Sequence, residues 1–171
     1  MEDLDKKIQN MELIIAMRVL QESDTKENRN RLINEMMRSR FITPAFIKEE
    51  DAKLMAKLEE SGEKRPVPIS FKVVTARDGK RFLPAFTDTM QYNKWIEKCE
   101  IKDPLRKMVM NFEVYAQYIL GSGGELSGFI INPFGENLVF PEPMVRNLAM
   151  QLQKIKAEIA RKKVEAEENG D

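Results

Sequence analysis

The sequence predicts an α+β domain: a mixed sheet of five or six strands with β-hairpins, covered by helices and closed by a long C-terminal helix. Three observations carry that expectation. Apolar residues recur at helical spacing near both ends, across residues 4–20 and again at Val145, Leu148, Leu152, Ile155 and Ile159. Alternating apolar runs flank Asp78-Gly79, and short apolar runs flank a turn over residues 132–137, as paired strands do. Helical and strand-like runs interleave without an internal repeat, so residues 1–141 read as an α/β body. Residues 142–171 read as a terminal helix with a charged, frayed tail that belongs to the same unit.

Composition narrows the function classes. A chain of 171 residues is long enough to bury one sizeable core, and 33% charged residues with 42% hydrophobic ones describe a globular protein rather than a disordered one. Lys and Arg number 28 against 28 Asp and Glu, so no overall field draws in a nucleic acid or an anionic membrane. No apolar run approaches the roughly 20 residues that span a bilayer. The start MEDLDKKIQN lacks the features of a secretory signal, which leads us to expect a cytoplasmic protein. The chain has no histidine and one cysteine, Cys99. Ser/His and Cys/His nucleophile pairs, His-ligated zinc and multi-cysteine cages are thereby removed, and neither metal nor cofactor is expected.

The first stripe, Leu4, Ile8, Met11 and Ile15 joined by Leu13, Ile14, Met17 and Leu20, predicts one helix. ESDTKEN interrupts it, and a second helix follows through Leu32, Ile33, Met36 and Met37, capped by Thr25 or Asp24. FITPAFI, residues 41–47, is aromatic and β-branched with Pro44 inside, which predicts an edge strand because proline cannot donate to a ladder. One or two helical turns through Leu54 and Leu58 come next, then a mobile connection marked by Gly62, Pro66 and Pro68.

ISFKVVTARDGKRFLPAFTD carries the sharpest local signal. Asp78-Gly79 suits a two-residue type I′ turn, which pairs Thr75 with Phe82, Val73 with Pro84 and Phe71 with Phe86. Ile69, Phe71, Val73, Phe82, Pro84 and Phe86 then share one apolar face. Pro84 is expected to end the ladder, after which Thr87 or Asp88 caps a helix over TMQYNKWIEKC with Met90, Trp95 and Ile96 inward. Met108 to Met110 suit a short strand and Asn111 a cap for a helix burying Phe112, Tyr115 or Ala116, and Ile119. GSGGELS is a flexible loop, GFIINPFGENLVF a strand, turn and strand, and Pro143 sits in the first turn of the last helix.

With those residues placed, the chain resembles the SseB family, in particular its amino-terminal domain. DGKRFLPAFTD with the downstream Trp95, GFIINPFGENL before the last helix, and the leading helices ending in FITPAF carry the resemblance across most of residues 10–148. It implies a bacterial α/β domain of poorly defined role, under a name linked to enhanced serine sensitivity and shared with a type III secretion translocon protein. Longer members resemble this domain followed by a second one, where this chain has a charged helix. No catalytic residues come with the family.

The candidate sites divide between scaffold and function. GSGGE, residues 121–125, lacks the Gly-Lys-Ser/Thr ending of a phosphate loop and reads as a connector. Cys99 has no histidine to activate it and reads as an ordinary packed cysteine. Asp78, Gly79, Pro84, Thr87 and Asp88 form a structural motif of turn, strand exit and cap. In NPFGEN, Asn132 and Pro133 build a turn, while Phe134 either folds back on the core or anchors a partner. The seam Leu152, Ile155 and Ile159 either docks on the sheet or pairs with a second copy as a short coiled coil. The sequence thus points to a non-enzymatic module that binds a protein partner through Phe134 or the last helix, with homodimerisation through that helix as one form. The alternative is a small-molecule or enzymatic pocket at the strand ends, where Asp88 and Glu136 converge.

Overall fold

Strand pairing divides the chain into two sheets, three strands in the order β2-β1-β5 and four in the order β3-β4-β6-β7. The computed structural model describes residues 4–170, with side chains from residue 6 onward. Two sheets of three and four strands replace the single sheet of five or six, while the α+β class and the long terminal helix hold.

Helices α2 (Met11–Glu22) and α3 (Lys26–Arg38) form the leading pair, the second capped by Thr25, whose hydroxyl accepts from the Asn28 amide. The first expected helix is broken: α1 (Leu4–Lys7) stops short, and Asn10 sits in a left-handed conformation at φ 47° before α2 begins. Leu4's place in the expected stripe lies outside the described side chains. Leu13, Ala16 and Met17 face the core, whereas Met11 and Ile15 face outward.

Strand β1 (Arg40–Phe46) is the middle strand of its sheet, not the edge strand that Pro44 suggests. It pairs with β5 (Arg106–Asn111) from Arg40 to Ala45 and with β2 (Ser70–Phe71) at Ala45 and Phe46. The proline is tolerated because of what lies opposite. Phe86 joins the two sheets in a single antiparallel bridge to Ile42, with both amide–carbonyl hydrogen bonds at 2.9 Å. Two residues further in the same register, Pro44 would stand against Pro84, and neither has an N–H to give. The ladder ends there after one bridge. The Pro44 carbonyl instead accepts from the Lys72 amide at 3.1 Å. The Pro84 carbonyl accepts from the buried Tyr115 hydroxyl at 3.2 Å, and Tyr115 also meets the Thr43 hydroxyl in a short hydrogen bond.

Pro84 nevertheless does not terminate its own strand. On its other edge β4 (Arg81–Ala85) runs parallel to β6 (Gly128–Ile131), with Pro84 beside Ile130 and Ala85 beside Ile131. The hairpin register is shifted by one residue from the sequence expectation: β3 (Val74–Thr75) sets Val74 against Phe82 and Thr75 against Arg81. Only Gly79 of the turn pair takes positive φ, at 85°, so Arg77, Asp78 and Gly79 form a three-residue loop between Ala76 and Lys80. Phe71 consequently pairs with Ala45, not Phe86.

Helix α4 (Glu49–Ser61) is longer than the one or two turns expected. Helix α5 (Thr89–Lys98) buries Trp95 but leaves Met90 70% exposed, against the inward position expected for it. Helix α6 (Phe112–Gly121), capped by Asn111, buries Phe112, Tyr115, Ala116 and Ile119 as the spacing requires. The hairpin of β6 and β7 (Leu138–Pro141) leads into α7 (Glu142–Glu168). This helix stays intact to Glu168 where fraying was expected, with exposed pairs Lys162–Glu158 and Arg161–Glu165 along it. Leu83 and Ala85 face the main core with Phe129, Tyr115 and Val145, while Phe86 faces a second cluster with Ile8, Ile42, Tyr92 and Trp95.

Candidate functional site

The hairpin exit and the 132–137 loop meet in one hydrogen-bonded network. Asn132 takes left-handed φ at 48°, where its short amide side chain is among the few tolerated. Its Oδ1 accepts from the Thr87 amide at 3.0 Å, and its Nδ2 donates to Thr87 Oγ1 at 2.9 Å and to Glu136 Oε2 at 2.8 Å. The Thr87 hydroxyl donates in turn to Asp88 Oδ2 at 2.8 Å, and Asp88 Oδ1 accepts from the Gln91 amide at 2.9 Å, capping α5. Of the two residues proposed as the cap, Asp88 does the capping and Thr87 holds it. The Asn10 side chain closes the network from the N-terminal side, donating to the Thr87 carbonyl at 2.9 Å and to the Arg40 carbonyl at 2.7 Å.

Asp88 and Glu136 are thus both held by the Thr87–Asn132 pair. Both oxygens of Asp88 are engaged in holding backbone and hydroxyl, and one of Glu136 holds the Asn132 amide. The arrangement fixes the start of a helix and the shape of a loop. Among the described residues no group of three or more His, Cys, Asp or Glu side chains gathers to hold a metal ion. Cys99 lies exposed at the end of α5 rather than packed, and partial burial of its sulfur pushes the thiol up from its ordinary value. The Asp78 carboxylate accepts from the Lys80 amide at 3.0 Å within the hairpin loop.

The residues singled out as partner contacts separate. Asn132 and Pro133 are buried and serve the loop. Gly135 lies against Gln91, where a Cβ would come within 2.7 Å of the Gln91 amide oxygen. Phe134 stays 49% exposed, with the Lys98 ammonium 5.5 Å from its ring centroid. On α7, Leu152 is half-buried against α6, and Lys156 forms a short ion pair with Glu113 at the start of α6. From Gln153 to Gly170 every residue is exposed, including Ile155 at 54% and Ile159 at 59%.

One surface escaped the sequence reading. Helix α2 and the start of α5 border a groove of about 710 Å³ walled by Met11, Ile14, Ile15 and Met90. The signal was present in the excess of apolar residues across 11–20, more than one buried face of a helix can take.

No helix among the described residues is long and apolar enough to cross a membrane. Comparison with curated proteins gave no match, and comparison with solved structures gave none. The sequence model of the SseB protein N-terminal domain matches residues 14–147, which takes in most of both cores, the hairpin exit and the Asn132 loop. The chain belongs to the SseB family.

Proposed function

We propose that this protein is a non-enzymatic interaction module that binds a protein partner through the outer half of α7. The observation that supports this is the behaviour of the helix past Lys156. Its last ion pair to the body is there, yet the helix continues to Glu168 with Ile159 and Val164, like Ile155 just before it, more than half exposed. Exposed apolar residues on a regular, charged helix are the anchors of helix-in-groove recognition. Phe134 supplies a second exposed contact, and the zero net charge favours a protein partner over a nucleic acid. We take the module to act in the bacterial cytoplasm, without metal or cofactor.

The test is residue-specific crosslinking in the native cell from a photoreactive residue at position 159, compared with one at position 134. Crosslinks to a discrete protein from position 159, abolished by Ile155→Glu, are the expected result. A clean absence of crosslinks from position 159, with the chain folded and abundant, removes α7 as the contact; crosslinks from position 134 alone would move the interface to the loop.

A further inference from the structure

The groove between α2 and α5 is concave, apolar and chemically incomplete. Met11, Ile15 and Met90 are 58%, 40% and 70% exposed along it. At its rim, Arg18 makes no ion pair among the described residues. Thr89, in its wall, has a buried hydroxyl with no hydrogen-bond partner. The carboxylate in the same wall, Asp88, has both oxygens committed to Thr87 and Gln91. An occupant that satisfies this surface brings two apolar anchors with a carboxylate beside them.

Ile155, Glu158 and Ile159 supply that set on the outer half of α7, among the flanking cations Lys154, Lys156, Arg161 and Lys162. Ile155 and Ile159 lie one turn apart, and Glu158 flanks them; its pairing with Lys162 at 3.5 Å is solvent-exposed and therefore weak enough to exchange. The stretch from Lys156 to Glu168 reaches about 18 Å beyond the last contact with the body at 1.5 Å per residue. Pairing of two α7 helices with each other is the poorer fit. The seam through Leu152, Ile155 and Ile159 continues at the charged Lys162 and the small Ala166, so the apolar repeat ends before a coiled coil is established.

We infer that α7 of one copy seats Ile155 and Ile159 in the α2–α5 groove of a second copy, with Glu158 meeting Arg18, and that the exchange is reciprocal. Each chain carries both halves of the contact, so two contacts close around a two-fold axis. This inference rests on the reading of α7 as the binding element and adds the identity of the partner surface.

The experiment uses the full chain and analytical ultracentrifugation. The parent chain is expected to dimerise, and Met90→Glu in the groove or Ile159→Glu on the helix each weakens the dimer by about tenfold or more. Both positions are exposed, and unchanged circular dichroism verifies that each variant is folded. Mixing the two variants is the decisive arm, because the intact helix of the first fits the intact groove of the second. A heterodimer should form from two chains that are each monomeric alone. Charge reversal by Arg18→Glu should weaken the dimer and Glu158→Arg in the same chain should restore it. If Met90→Glu dimerises like the parent while Ile159→Glu does not, α7 pairs with itself: the inference falls and the reading of α7 stands. A parent chain monomeric throughout, with crosslinks from position 159 to another protein, has the same consequence. If Ile159→Glu leaves the dimer intact and Ile155→Glu leaves the crosslinks from position 159 intact, both readings are overturned.

Discussion

Replacing Asn132 by alanine removes two different supports at once, and the structure separates them. The Thr87 amide, on a fully buried residue, loses its acceptor at 3.0 Å; an orphaned buried donor costs about 1–3 kcal/mol. The alanine must also occupy φ 48°, which costs a Cβ-bearing residue about 1–2 kcal/mol. Glu136 is only partly buried and rehydrates, and Thr87 keeps its hydrogen bond to Asp88, so neither adds much. Asn132→Ala should therefore lose about 2–5 kcal/mol. Asn132→Gly, free to adopt the left-handed backbone, should recover about 1 kcal/mol of that but not the amide's share. Trp95 is the single tryptophan and is buried, so its fluorescence reports unfolding in urea. With a slope of about 2 kcal/mol per molar, the alanine midpoint moves down by about 1–2.5 M. An alanine variant within about 0.5 kcal/mol of the parent would refute the network as a structural keystone. A glycine variant as unstable as the alanine would refute the backbone half alone.

Three further outcomes follow from the same contacts. Tyr115→Phe strands the Pro84 carbonyl and the Thr43 hydroxyl, at about 1–3 kcal/mol in urea unfolding at neutral pH. Burial holds the Tyr115 hydroxyl well above its ordinary value, so its contribution is complete below pH about 10, where the unfolded chain titrates, and is lost as pH rises from there toward the folded value; between neutral pH and about pH 11 the parent should lose about 1.4 kcal/mol more than Tyr115→Phe. Gly128→Ala, at φ 144° with its new methyl driven into the Phe140 carbonyl across β7, should cost about 3 kcal/mol or fail to accumulate, read by the same denaturation. Asn10→Gly keeps the left-handed backbone but drops the bonds to the Arg40 and Thr87 carbonyls, and should cost about 1–2 kcal/mol while loosening amide exchange protection at the starts of α2 and α5.

Local chemistry was readable in the sequence where a residue's role is settled within a few positions. Asn111 and Asp88 cap their helices three residues ahead, and Thr25 does the same for α3. The hairpin was located but its register slipped by one, because Asp78-Gly79 marks a turn without saying whether Arg77 belongs to the strand or the loop. Pro44 misled for a physical reason: the rule that proline sits at an edge concerns its missing N–H, and β1 meets that rule through a gap beside it rather than through solvent. Met90 misled because α5 touches the core along a narrow stripe through Tyr92 and Trp95, and apolar spacing alone does not reveal where that stripe ends. The candidate loop was legible as a turn in Asn132 and Pro133, but the amide's reach across 45 positions to Thr87 was not.

Long-range amides, rather than apolar packing, set the relation between the two candidate surfaces. Asn10 immediately precedes α2 and Asp88 immediately precedes α5, so Met11 and Met90 stand one and two residues beyond the fixed points. The hydrogen bond from Asn10 to the Thr87 carbonyl ties those starts together, and Asn132 ties the same Thr87 to the loop that presents Phe134. A groove whose walls begin at two hydrogen-bonded anchors keeps its width while empty, although Met11 and Met90 gain little by facing water. That pre-organisation lowers the ordering cost of seating a partner helix. The methionines then supply adaptable surface over a rigid frame, which suits a contact made by two isoleucines and one carboxylate better than it suits a small polar substrate.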